Sequence, residues 1–125
     1  QINMCPMTTA SIASGAGETI AAWETREQIN VGRIDQTTNQ MTDVETVPGG
    51  TGDRKHPRVA INARGDYIVA WAEGTGWNKG GSAAWQIFDR TGRPLTDRTV
   101  KANALPVWGT VAVFAGADGH FEVMY

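Results

Sequence analysis

A glycine followed six positions later by an aromatic residue occurs three times in this chain, and no other feature limits the fold as much. The copies run from Gly17 to Trp23, from Gly65 to Trp71 and from Gly119 to Tyr125. Their aromatics stand 48 and 54 residues apart (71 − 23 and 125 − 71). A period of roughly 40–50 residues is that of a repeated unit of four short strands. The intervening residues, such as Asp66-Tyr67-Ile68-Val69-Ala70, are rich in apolar and β-branched side chains. Each copy therefore reads as a strand leaving a turn in which glycine takes positive φ at little cost.

A second apolar run precedes each turn: Ala10-Ser11-Ile12-Ala13, Val59-Ala60-Ile61 and Val111-Ala112-Val113-Phe114. Pro6, Pro57 and Pro106 stand ahead of them, where a residue without an N–H suits the first position of a strand. Each unit thus begins as a hairpin. A third strand is predicted over 28–35, with period-two alternation, and again over 83–89, before the turn Arg90-Thr91-Gly92-Arg93-Pro94. Charged outer strands are predicted over 44–47 and 98–101. No stretch of ten or more residues keeps a helical period free of Gly, Pro or β-branched clusters. Along the second copy, Tyr67, Val69 and Trp71 face one way and Ile68 and Ala70 the other, so both faces of that sheet must be covered. Sheets stacked face to face satisfy this. The expected fold is all-β, about two and a half four-stranded antiparallel blades of a β-propeller, with units at 5–48, 49–102 and an incomplete one at 103–125.

The chain of 125 residues is 41% apolar and 19% charged, with a formal net charge of −2, which gives no footprint for nucleic acid. No apolar run approaches the length of a membrane-spanning helix. The start, Gln1-Ile2-Asn3-Met4-Cys5-Pro6, has neither an initiator Met nor the features of a secretory signal. The expectation is a processed chain or a piece of a longer one, with Tyr125 as its C-terminus. The remaining blades would come from the parent chain or from another copy. Cys5 is the only cysteine, which excludes an internal disulfide and a cysteine metal cluster. It reads as a small buried apolar residue, with a nucleophile or an intermolecular disulfide as the alternatives.

The pattern Pro57-x-Val59-Ala60-Ile61-x-x-x-Gly65-x-Tyr67-Ile68-Val69-Ala70-Trp71, with the later Trp85-Gln86-Ile87-Phe88-Asp89-x-x-Gly92-x-Pro94, resembles blades of bacterial sialidase-like propellers, the BNR-repeat superfamily. The resemblance covers nearly the whole chain and implies a secreted or periplasmic protein that binds, and in the intact molecule hydrolyses, glycans. The family's Asp-box, Ser-x-Asp-x-Gly-x-Thr-Trp, has no complete copy here. Gly74-Thr75-Gly76-Trp77 and Asp118-Gly119 are its nearest fragments. The family's arginine triad, Tyr–Glu pair and acidic Asp map onto no residues of this chain, so no catalytic residue is carried over.

In the propeller layout the loops 48–56, 73–82 and 102–108 share one face. The longest carries Glu73, Trp77, Asn78 and Lys79 among four glycines. An aromatic beside Asn and Lys offers a sugar ring an apolar platform with polar edges; the alternative is a lid folded over the blade. Glu24 and Glu73 end equivalent strands, so they read either as the two carboxylates of glycoside hydrolysis or as partners of Arg26, Arg54 or Lys55. His56 belongs near the axis, as a ligand or catalytic group or as a hydrogen-bonded structural residue. His120 reads as a solvated turn residue. No metal-ligand spacing appears. Gly49-Gly50-Thr51-Gly52-Asp53-Arg54 precedes no helix and is no phosphate loop, so no cofactor is expected. Asp43, Asp89 and Asp97 read as turn residues, and Trp23, Trp71 and Trp85 as packing residues.

Three functional readings follow. One is the glycan-binding part of a sialidase-like propeller. Another is a non-catalytic interaction module in a larger assembly. The third is a repeat that completes a ring from several copies.

Overall fold

The computed structural model describes residues 10–50, 53–96 and 100–125, with the backbone alone at 103–104. Among these residues there are ten strands and no helix, and so no helix long and apolar enough to cross a membrane. The first sheet is a meander of β1 (Ser11–Gly15), β2 (Glu18–Thr25), β3 (Gln28–Asp35) and β4 (Gln40–Thr46). The second repeats that order with β5 (Arg54–Ile61), β6 (Tyr67–Glu73), β7 (Gly81–Phe88) and β8 (Val100–Leu105). A third, of two strands, pairs β9 (Ala112–Ala115) with β10 (Phe121–Met124). Every ladder is antiparallel. The all-β reading holds.

Ladder partners share a face of a sheet, so the register assigns each side chain a side. In β6, Tyr67, Val69 and Trp71 point at the first sheet and join Ile20, Ala22 and Val31 in one core. Ala70 and Ala72 point the other way and join Ala83, Leu105 and Val111 in a second core, against which Val113 and Val123 pack. The middle sheet is covered on both faces, which explains why β6 is apolar without alternation. The strand β5 touches β1 and β2 on one side and β9 on the other. It joins all three layers.

The turns follow from local chemistry. Ala16 and Gly17 link β1 to β2 with φ of 52° and 79°, the two-residue mirror-image turn that matches strand twist. In the second sheet the buried Asn62 organises the corresponding turn. Its Oδ1 accepts from the backbone N of Arg64 and Asp66, and its Nδ2 donates to Gly119 O of the third sheet at 3.1 Å. The β3–β4 and β7–β8 connections both open on Asp-x-Thr. Asp35 Oδ1 accepts from the N–H groups of Thr37 and Thr38, and Asp89 Oδ1 from those of Thr91 and Arg93. These amide bonds, of Thr38 first and then Thr37, hold the Asp35 carboxyl below its ordinary range. Asp89 is the turn residue its position predicts.

Three expectations require correction. Pro57 does not precede its strand. It lies inside β5, where the register shifts between Lys55 and Arg58 and His56 takes φ of 55°. The absent proline N–H removes no ladder bond at such an irregularity. The outer strands also lie elsewhere: β4 begins four residues ahead of 44, and β8 continues to Leu105 through residues expected to form a loop. Val47 has left the ladder of β4 and is buried, its N–H bonded to Ile29 O at 2.8 Å. The expectations for Cys5, Pro6, Gly52, Asp97 and the 98–99 part of the outer strand lie outside the described residues.

Arg54 fastens the first two sheets. Its side chain is fully enclosed; Nη1 donates to Val47 O at 2.8 Å and Nη2 to Pro48 O at 3.2 Å. Its guanidinium carbon lies 4.9 Å from the centre of the Trp71 ring, and Nε approaches Glu73 Oε2 at 4.0 Å. Replacing Arg54 with Met keeps most of the volume but leaves two carbonyls without donors. Arg54→Met is expected to lower unfolding free energy by about 3 kcal/mol. Urea denaturation will measure this as a lower midpoint with an unchanged slope.

Candidate functional site

On the rim formed by the β6–β7 and β8–β9 connections, a cleft of about 270 Å³ opens between two tryptophans. It is lined by Lys55, His56, Thr75, Gly76, Trp77, Trp108, Gly109 and Thr110. One wall comes from residues 74–80. Gly76 and Lys79 exchange backbone hydrogen bonds of 3.0 and 3.3 Å, leaving Trp77 and Asn78 as the corner of a tight turn. That turn lies close against its neighbours. A Cβ on Gly81 would stand 2.3 Å from Glu73 O, and one on Gly80 2.5 Å from Leu105 O. Only glycine fits at either place.

The other wall is Trp108, in a turn closed by Gly109 N donating to Pro106 O at 2.9 Å. Trp108 has φ of 66°, a region that a bulky side chain enters only at a cost of about 1–3 kcal/mol. The two indoles meet edge to face, with centroids 5.0 Å apart and planes at 83°. They remain 72% and 58% exposed, Trp77 and Trp108 respectively. Each leaves a ring face open to the cleft side or to solvent. Lys55 also lines the cleft; its Nζ donates to Thr75 O at 3.3 Å and pairs with Asp53 at 3.4 Å. Its positive charge is therefore already compensated within the protein.

The residues singled out from the sequence divide into two groups. Trp77 and His56 line the cleft; Asn78 and Lys79 are exposed at the turn beyond it. Glu73 and Glu24 do not line it. Glu73 accepts from Trp71 Nε1 at 3.2 Å and from Lys101 Nζ, and it faces Arg54, so it serves as a counter-ion between strands. Glu24 points at the second sheet from the end of β2. Its Oε2 is enclosed and has no hydrogen-bond partner among the described residues. Burial pushes the Glu24 carboxyl above its ordinary value of 4.5, nearby Lys55 pulls it partly back, and Glu27 adds to the rise. The two carboxylates share no bonding partner, and neither faces the cleft. His120 pairs with Asp118 at 2.7 Å on a remote, exposed turn. Among the described residues, no three His, Cys, Asp or Glu side chains are grouped as metal ligands.

Sequence reasoning missed Trp108, together with Gly109 and Thr110. The signal was present: Pro106-Val107-Trp108-Gly109 is an aromatic between turn-forming residues, the same criterion that singles out Trp77. Comparison of the chain with models of known protein families, with curated proteins and with solved structures gave no match.

The raised Glu24 pKa has a definite consequence for stability. The folded state holds this proton more tightly than the unfolded state, so the group favours folding most below about pH 4.5. That contribution is lost as pH rises through the folded value. Glu24→Gln is therefore expected to raise the melting temperature at pH 7 and to lose this advantage below about pH 4.5, as thermal unfolding across pH will show.

Proposed function

We propose that the stacked sheets are consecutive blades of a β-propeller of the sialidase-like kind, and that the Trp77–Trp108 cleft binds a saccharide without hydrolysing it. The observation that carries this reading is the pair of exposed indoles set nearly at right angles on a cleft that Lys55, His56, Thr75 and Thr110 also line. A sugar ring has apolar C–H faces and a rim of hydroxyls. It matches an aromatic wall flanked by Thr75, Thr110 and the backbone of Gly76 and Gly109. The blade reading is supported by the twice-repeated four-strand order and by the adjacency of the first strands of the three sheets. A secreted or periplasmic location belongs to the same reading and rests on the family resemblance.

Binding is favoured over hydrolysis because Glu73 is engaged by Arg54, Trp71 and Lys101, and Glu24 faces the neighbouring sheet. Retaining and inverting mechanisms both need two carboxyl groups flanking the scissile bond. Val107, exposed beside Trp108, supports a second reading in which the same patch holds a protein partner within a larger assembly.

Glycan-array screening followed by calorimetry tests the first reading. Trp77→Ala and Trp108→Ala are each expected to weaken saccharide binding about tenfold, or about 1.4 kcal/mol. Binding that neither change affects would exclude the cleft. Absence of any glycan ligand, with a protein partner lost in both variants, would favour the second reading.

A further inference from the structure

The charges around the cleft are already answered within the protein, and one carboxylate answers the lysine that lines it. Lys55 Nζ stands 3.4 Å from Asp53 Oδ1 and donates to Thr75 O at 3.3 Å. The enclosed Arg54 faces Glu73, and Lys101 pairs with that same carboxylate. Burial raises the Glu24 carboxyl and Lys55 pulls it partly back, so Glu24 also lies within the field of this ammonium. His56 has an interaction of its own within the protein. Lys79 is outside the lining, exposed on the Trp77 turn, where water and salt screen its charge.

Asp53 is fixed in place by its backbone. It takes φ of 58°, its N–H donates to Glu27 Oε2 at 3.5 Å, and its C=O accepts from Gly74 N at 2.9 Å. The last bond ties it to the start of the connection that carries Trp77. Asp53 does not line the cleft, so it acts on a ligand there through Lys55.

A ligand carboxylate entering the cleft would meet an ion pair rather than a cation. To bond Lys55 it must displace Asp53, exchanging one pair for another while it loses its own hydration. A ring hydroxyl meets no such opposition, and Thr75 and Thr110 offer it both donors and acceptors. We propose that the Trp77–Trp108 cleft takes neutral sugar rings and rejects acidic ones, and that Asp53 sets this preference by holding Lys55 in an ion pair. Asp53 is then a positioning residue for specificity, since it touches Lys55 and not the ligand. The assignment rests on the saccharide reading of the cleft and adds the charge of the ligand to it.

Matched glycans test it, first on an array and then by calorimetry. The probes are oligosaccharides ending in glucose, galactose or mannose. Each is set beside the form in which a carboxylate replaces the terminal hydroxymethyl group. The wild-type chain should bind at least one neutral probe about tenfold or more tightly than its acidic form. Asp53→Asn keeps the size of the side chain and tolerates the positive φ, but it releases Lys55 from its partner. In this variant the acidic form should gain about tenfold, the worth of a charge-assisted hydrogen bond. Adding Lys55→Met to Asp53→Asn should remove that gain, a result that a change in structure alone would not produce. Asp53→Gly suits the same φ and takes the place of Asp53→Asn if the latter fails to fold. A wild-type chain that binds acidic forms as tightly as neutral ones overturns the proposal and leaves the saccharide reading standing. So does a preference that Asp53→Asn leaves unchanged, or a gain that survives Lys55→Met. If neither kind of probe binds, the saccharide reading fails and the proposal falls with it.

Discussion

The enclosed guanidinium of Arg54 is the interaction on which the arrangement of the sheets depends. An uncompensated charge in that position would cost several kcal/mol, yet almost every face of this group is answered. Two carbonyls from the end of the first sheet accept its protons, the Trp71 ring lies beneath it, and the Glu73 carboxylate stands opposite. Burial lowers its pKa and Glu73 offsets part of that fall; the guanidinium keeps its charge because its ordinary pKa is so high. The partners come from β6 and from the chain just after β4. Arg54 therefore sets both the distance and the rotation between two layers. The same ion pair removes Glu73 from the chemistry its position first suggests.

The strand β5 carries that arrangement outward. Its first residue is Arg54, its irregularity holds His56 and Pro57, and its apolar half packs between two sheets. The bulge separates these roles. Before it, Lys55 and His56 turn toward the rim and the cleft; after it, Val59 and Ala60 return to regular alternation on the two cores. A strand without the bulge would continue one alternation along its whole length, and the rim residues would share the register of the core.

Much of this was legible in the sequence because it depends on periodicity. Glycine-to-aromatic spacing located β2, β6 and β10, and two-sided apolarity over 67–71 correctly implied cover on both faces. What escaped was set by tertiary contacts. Nothing local distinguishes Arg54 from a surface arginine, because its partners at Val47, Pro48 and Trp71 come together only in the fold. The end of the outer strand, 102–105, reads as a loop in the sequence because Ala102-Asn103-Ala104 has weak strand propensity, which pairing with β7 overrides. Glu24 and Glu73 end equivalent strands, as read, yet differ in fate. Glu73 meets a cluster of donors, whereas Glu24 has an enclosed oxygen with no hydrogen-bond partner among the described residues. Trp108 was visible as an aromatic in a turn, but its pairing with Trp77 spans two connections that sequence distance separates.

The β6–β7 connection shows how a repeated architecture diversifies. At the equivalent place in the first sheet, Arg26 and Glu27 alone join Thr25 to Gln28; in the second, a longer segment joins Glu73 to Ser82. The paired residues on either side keep their partners despite the added length. Lengthening a loop is thermodynamically cheap, about 0.6 kcal/mol per doubling, whereas a one-residue slip in a ladder would turn every side chain to the wrong face. Six extra residues account for the whole difference between the 48- and 54-residue spacings, and Trp77 is among them. The side chains that this rim exposes can therefore change by insertion, at a site where the ladders keep their register whatever the length. The same connection is the natural place to graft a new binding loop.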